Sequence, residues 1–281
     1  MASVAIKGAR YRVKPEEADR FGPFTKTFLA EGDSWMDASA WNQGSLPEFL
    51  ARDFNRSGVS HLILNLATSG HTLTRIVDMM KGDFVWWLKQ QTYDGILFSA
   101  GGNDFIDAAR DAPPGQGLLE DFRGKPAPAG AADCIRASAL AALKGYLNAN
   151  FQVIYDALRR SAKNASTPIY LNCYDTPVAR DAPVIRGLVG PWLFTAYTKN
   201  GIPVSLWPAL TDLLFDEIRK TVEGWASGRT NVVLVPTTGL LDPADPASAG
   251  ESGDWINEIH PNKRGWRKQA AAWRSCLDEH G

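Results

Sequence analysis

The 281-residue chain is short of net charge, of cysteine and histidine, and of long apolar runs. Each shortage excludes something. Thirty basic residues against 31 acidic ones leave a formal charge of −1, which is neither a footprint for nucleic acid nor a polybasic patch for anionic lipid. No apolar run approaches the roughly 20 residues that span a bilayer, so no membrane span is expected. The N-terminus, Met-Ala-Ser-Val-Ala-Ile-Lys-Gly-Ala-Arg, has no basic segment followed by a long apolar core and does not read as a secretory signal. Cys134, Cys173 and Cys276 form no Cys-x-x-Cys pair, which argues against a zinc ribbon or a redox motif. So sparse a count fits a reducing compartment, and the expectation is a cytoplasmic protein. The chain has four histidines, and no second His or Cys is suitably spaced from His260 to form a ligand pair. Neither a metal nor a cofactor is expected.

What is present is globular: 44% hydrophobic and 22% charged residues, enough apolar material for a large core. Apolar, β-prone runs at 26–32, 61–67, 95–100, 168–174 and 231–235 alternate with helical periodicity over 46–54, 73–90, 131–162, 207–226 and 262–278. Gly82 weakens the middle of the second helix. Residues 1–24 read as a lead-in. The alternation predicts one domain over residues 1–281, a three-layer α/β/α sandwich with a five-stranded parallel sheet covered on both faces. Two insertions interrupt it. Residues 111–130 carry four prolines and four glycines, and 175–204 is rich in Pro, Gly and aromatics.

Four strand ends carry polar groups. The first ends in Gly32-Asp33-Ser34, the second in Gly70, the third in Gly101-Gly102-Asn103-Asp104, and the loop after the fifth carries His260. Carboxyl ends of parallel strands are where open α/β sheets bind ligands, so one cleft can hold all four. Together they supply what acyl transfer requires. Ser34 is the nucleophile, and His260, followed by Pro261 and a helix, is the base that takes its proton. The N–H groups of Ser34 and Gly70 and the Asn103 amide are donors for an oxyanion. Taken singly, each has a plainer reading. Gly-Asp-Ser is usually a turn, Asn103 could be a left-handed turn residue, and Gly101-Gly102 could be a phosphate nest. Asp33 is expected to bond nearby backbone, Asp104 to cap the turn that follows it, and His71 to face solvent. Trp86 and Trp87 are expected to pack. Trp35, Trp41, Trp192, Phe194 and Tyr197 either cover the core edge or wall the site.

With these four blocks the chain resembles the SGNH (GDSL-type) hydrolases over about residues 26–278. The matches are Gly32-Asp33-Ser34, Gly70, Gly101-Gly102-Asn103-Asp104 and His260-Pro261, in the family's order. The Gly-x-Ser-x-Gly elbow of α/β-hydrolases is absent. The resemblance implies a flavodoxin-like sheet and an esterase or lipase working through an acyl-enzyme on Ser34. Its partner would be a small-molecule ester. Acyl transfer from the same site, or an inert ligand-binding domain on the same fold, are the alternatives. Two departures stand out. Trp35 replaces the usual Leu after the serine, and the family's acid, three residues before the histidine, is Asn257. An amide oxygen can hold an imidazole but cannot stabilise an imidazolium as a carboxylate does. Asp254 and Asn257 rank together as the group that orients His260, with Glu258 behind them and a Ser–His dyad also open.

Overall fold

The computed structural model describes residues 1–37, 44–80 and 83–280. Its centre is three strands, β2 (Lys26–Gly32), β3 (His61–Asn65) and β4 (Gly95–Ser99). Phe28-Leu29-Ala30, Leu62-Ile63-Leu64 and Ile96-Leu97-Phe98 are all buried, the continuous apolar pattern of parallel strands covered on both faces. β5 (Ile169–Asn172) and β6 (Val232–Val235) extend the sheet on one side, and β1 (Val4–Lys7) closes the other. The order is β1-β3-β2-β4-β5-β6 and every pairing is parallel.

Among the described residues the sheet therefore has six strands and not the five expected. The addition is β1, inside the supposed lead-in. It pairs only with β3 and is partly exposed along its length. Four residues on an edge carry little apolar signal, and α1 (Gly8–Val13) follows without a loop. A short α2 (Glu16–Asp19) completes that region.

Two helices cover one face, α3 (Leu46–Arg56) and α10 (Lys263–His280). Phe54 of α3 stacks on Phe28 of β2 with centroids 6.2 Å apart, and Arg274 of α10 lies over the Phe54 ring. The other face is covered by α4 (Leu73–Met80), α5 (Asp83–Gln90), α7 (Ala137–Arg159) and α9 (Trp207–Ala226). There Phe151 of α7 meets Phe98 of β4 and stacks on Trp225 of α9 at 4.5 Å. Of the helix expected over 73–90, α4 and α5 are the described parts, and Gly82 lies outside the described residues. The helix expected over 131–162 is a 3₁₀ turn, Ala131–Cys134, followed by α7. Two further helices arise where none was expected, α6 (Gly102–Arg110) directly after the third strand end and α8 (Leu193–Lys199) inside the second insertion. Among the described residues no helix is long and apolar enough to cross a membrane. The three cysteines are free and buried.

Candidate active site

Ser34 stands two residues beyond β2, and Gly32 is what permits this. Its φ is +148°, and a Cβ there would collide with the Ser99 carbonyl of β4. The glycine thus serves strand approach, keeping β2 against β4 as far as Asp33, whose N–H donates to Ser99 O at 3.1 Å. Asp33 then turns inward. Its carboxylate accepts from Trp35 N at 3.0 Å, Ser99 Oγ at 3.0 Å and Tyr174 Oη at 2.5 Å. Burial pushes this carboxyl up to about 6, against those three donors, which favour the ionised form. The turn that presents Ser34 is therefore bonded within itself through Trp35 N and to two other parts of the sheet, Ser99 of β4 and Tyr174 beyond β5. Trp35 packs edge-on to Tyr174, Trp255 and Trp266, so it anchors the turn in the core.

His260 reaches Ser34 from the far end of the chain, with Nε2 2.8 Å from Ser34 Oγ. A local turn fixes it. Asn257 Oδ1 accepts the N–H groups of Ile259 at 3.1 Å and His260 at 3.0 Å, and lies 3.0 Å from His260 Nδ1. Two backbone donors on that atom identify it as the amide oxygen. Nδ1 must then carry the proton, which leaves Nε2 free to accept one from Ser34. Asn257 Nδ2 is buried with no partner among the described residues. Burial pushes the imidazole down to about 3.

The other two candidates for orienting His260 point elsewhere. Asp254 is fully buried against α10, its carboxylate bonded to Arg264, to Lys268 Nζ at 2.6 Å and to Asp242 N at 2.8 Å. Glu258 faces the second insertion. It accepts four backbone N–H groups, from Arg180 at 3.1 Å, Leu193 at 2.9 Å, Phe194 at 2.7 Å and Trp192. This pins the entry to α8 beside the histidine loop, and the Trp192 ring meets His260 edge-on at 5.4 Å. Of the expected wall aromatics, Trp192 meets His260, Tyr197 is core, Phe194 packs on Trp207, and Trp41 lies outside the described residues.

The oxyanion candidates divide. One cavity of about 10 Å³ is lined by Ser34 and Asn103 together with Asp33, Trp35, Gly102, Ile106, Tyr174, Phe215 and Ile259, so Trp35 walls the site as well as packing in the core. Asn103 Nδ2 donates one proton to the His71 carbonyl at 3.0 Å, which sets the amide plane, and its second N–H has no partner among the described residues. The Ser34 N–H makes no hydrogen bond among the described residues. Gly70, exposed and with φ +79°, has an N–H with no partner among the described residues, but it is not among the residues lining that cavity. Asp104 caps α4 and not its own turn, accepting Leu73 N at 2.9 Å.

Sequence reasoning passed over Tyr174 and Asn262. Tyr174 supports Asp33 from the end of β5, where an aromatic residue looks like ordinary core. Asn262 accepts the N–H groups of Arg264 and Gly265, capping α10 just after the histidine. That second role is legible in Asn before a helix.

A three-layer parallel α/β fold carrying a Ser–His pair at its carboxyl edge defines a class of hydrolases. Residues 30–268 match the model of the GDSL-like lipase/acylhydrolase family, and the chain belongs to that family. Comparison with curated proteins returns no match. Among solved structures, the chain is similar to the lipase Lip_vut3 from a goat rumen metagenome. Identity is 13%, TM-score 0.58, with 90% of this chain and 97% of that one covered. It is also similar to a candidate GDSL-like lipase from Parabacteroides merdae, at 16% identity and TM-score 0.51, covering 91% and 96%. A candidate acylhydrolase from Bacteroides fragilis follows at 12% and 0.51, covering 96% and 95%. At such identities these likenesses concern the fold.

Proposed function

We propose that the protein is a serine esterase that cleaves carboxylic esters through an acyl-enzyme on Ser34. The observation that carries this is the relay Ser34 Oγ, His260 Nε2, His260 Nδ1, Asn257 Oδ1, with steps of 2.8 and 3.0 Å. His260 takes the Ser34 proton as Oγ attacks the ester carbonyl, and returns it to the leaving alcohol. Water, deprotonated by the same imidazole, then releases the acid. The Ser34 N–H and the free Asn103 N–H are the donors for the tetrahedral oxyanion, with Gly70 N–H as a third if substrate draws its loop inward. An inert binder would have no use for a serine and a histidine held in this contact.

Hydrolysis of p-nitrophenyl esters from acetyl to octanoyl tests the reading. A cavity of about 10 Å³ beside Ser34 is near the roughly 10–15 Å³ that one water needs. We therefore expect acetate to be the best substrate and kcat/KM to fall steadily with chain length. An octanoate optimum would refute the short-acyl assignment, and no turnover of any member would refute the esterase.

The pH profile tests the Asn257 contact. A histidine pushed down to about 3 by burial is already neutral, and so a working base, throughout the neutral range. It loses that form only as pH falls through its own pKa. The kcat/KM of the free enzyme should accordingly stay flat from about pH 8 to about pH 5. Asn257→Asp puts a carboxylate against Nδ1, favours the imidazolium and should move the acidic limb up by about 1–3 pH units. A limb that does not move, with folding checked by circular dichroism, would remove residue 257 from the orienting role.

A further inference from the structure

On the α4 and α5 side of the sheet, the carboxyl ends of β1, β2 and β3 border a second cavity, of about 220 Å³, that the reaction above does not use. Lys7, Glu31, His71 and Asp83 bring charge or a titratable ring to it, and Ile76 and Phe84 bring apolar surface. We propose that this cavity binds a small organic ammonium ion, with its charge on Glu31 and its carbon chain against Ile76 and Phe84.

Glu31 is more than nine-tenths buried. Its Oε1 accepts the Gly32 N–H at 2.9 Å, while Oε2 makes no hydrogen bond among the described residues. A buried carboxylate with one donor is incompletely compensated. The one cation among the described residues lining the cavity does not complete it. Lys7 Nζ is spent on the Ala67 carbonyl at 2.5 Å and Asp37 Oδ1 at 2.6 Å. Asp83, on α5, adds a second negative charge, and its contact with Arg12 is 3.7 Å long and exposed. His71 is a weak competitor for the carboxylate, because burial, with help from Arg75, lowers its ring pKa and disfavours the imidazolium. Two carboxylates against one already neutralised lysine select a cation, and the apolar wall selects one carrying carbon. The volume, about 220 Å³, lies below the roughly 300–1,000 Å³ of drug-sized pockets and suits a small ion. Among the described residues no group of three ligating side chains could hold a metal ion.

Burial pushes Glu31 up to about 7, against the Gly32 N–H and Lys7, with Asp83 acting in the same direction as burial. At about pH 6 the carboxyl is roughly one-tenth ionised and at about pH 8 roughly nine-tenths, whereas an alkylammonium is charged at both. Binding should therefore tighten close to tenfold over that interval.

The experiment is titration of n-propylammonium chloride, with n-propanol as the neutral control, followed by backbone amide NMR shifts at Gly32, His71 and Phe84. Glu31→Gln keeps an acceptor for the Gly32 N–H and removes the charge. We expect saturable shifts from propylammonium at about pH 8, weaker by about tenfold at about pH 6 and lost in Glu31→Gln, with propanol giving none. No saturation by about 10 mM, or equal binding by the Gln variant, overturns the site. The readout is binding, so failure here and failure of ester cleavage are separate results.

Discussion

Ser34→Ala is expected to lower kcat for p-nitrophenyl acetate by about 10,000- to 1,000,000-fold, with the fold intact. Removing the serine of a serine–histidine pair costs up to about a millionfold, and what remains is ordinary water attack aided by oxyanion donors and binding. The substitution is structurally mild for a stated reason. The turn is held by Asp33 bonded to Trp35 N, Ser99 Oγ and Tyr174 Oη, and by Trp35 packed among Tyr174, Trp255 and Trp266. The Ser34 hydroxyl contributes one contact, to His260 Nε2. That ring keeps its orientation from Asn257, so thermal stability should change little. The decisive measurement is a pre-steady-state assay with an activated acetate in excess over enzyme. Wild type should show a burst of p-nitrophenol as the acyl-enzyme accumulates, and the variant should show none. Equal turnover by both proteins would end the covalent mechanism.

A serine–histidine pair backed by an amide raises the question of how such a histidine would serve as the proposed base. In a triad whose carboxylate is replaced by an amide, activity collapses because the amide presents N–H to the ring and forces the wrong tautomer. Here the amide cannot turn freely. Its oxygen is held toward His260 by the N–H groups of Ile259 and His260 itself. What is lost relative to a carboxylate is charge stabilisation of the imidazolium, and what is kept is geometry.

Much of the molecule was legible beforehand, and the reasons are specific. β2, β3 and β4 are buried on both faces, so their sequences are unbroken apolar runs. β1 is an edge strand of four residues and left no such mark. The strand-end groups could be read because a parallel sheet delivers its carboxyl ends to one side. The partner of His260 could not be chosen, because Asp254, Asn257 and Glu258 fall within five residues and distant groups decide where two of them point. Arg264 and Lys268 take Asp254, and the N–H groups around residues 192–194 take Glu258. Only Asn257 is directed by its own backbone turn. Asp104 shows the same limit on local reasoning, since the helix it caps begins 31 residues earlier.

Asn103→Ala carries the second large effect, a fall in kcat of about 100- to 1,000-fold with KM changed little. The amide has two N–H groups. One is bonded to the His71 carbonyl at 3.0 Å, which fixes the plane before substrate arrives. The other remains on a side chain that lines the same cavity as Ser34. A ground-state ester oxygen is a weak acceptor and gains little from it. The tetrahedral oxyanion gains far more, because charge has developed on the oxygen and the donor need not reorganise. That difference places the loss in kcat. Asn103→Asp should be worse than Ala, since a carboxylate would face both the His71 carbonyl and the oxyanion. A loss confined to KM would assign Asn103 to substrate binding, and Asp equal to Ala would show that no negative charge develops beside it.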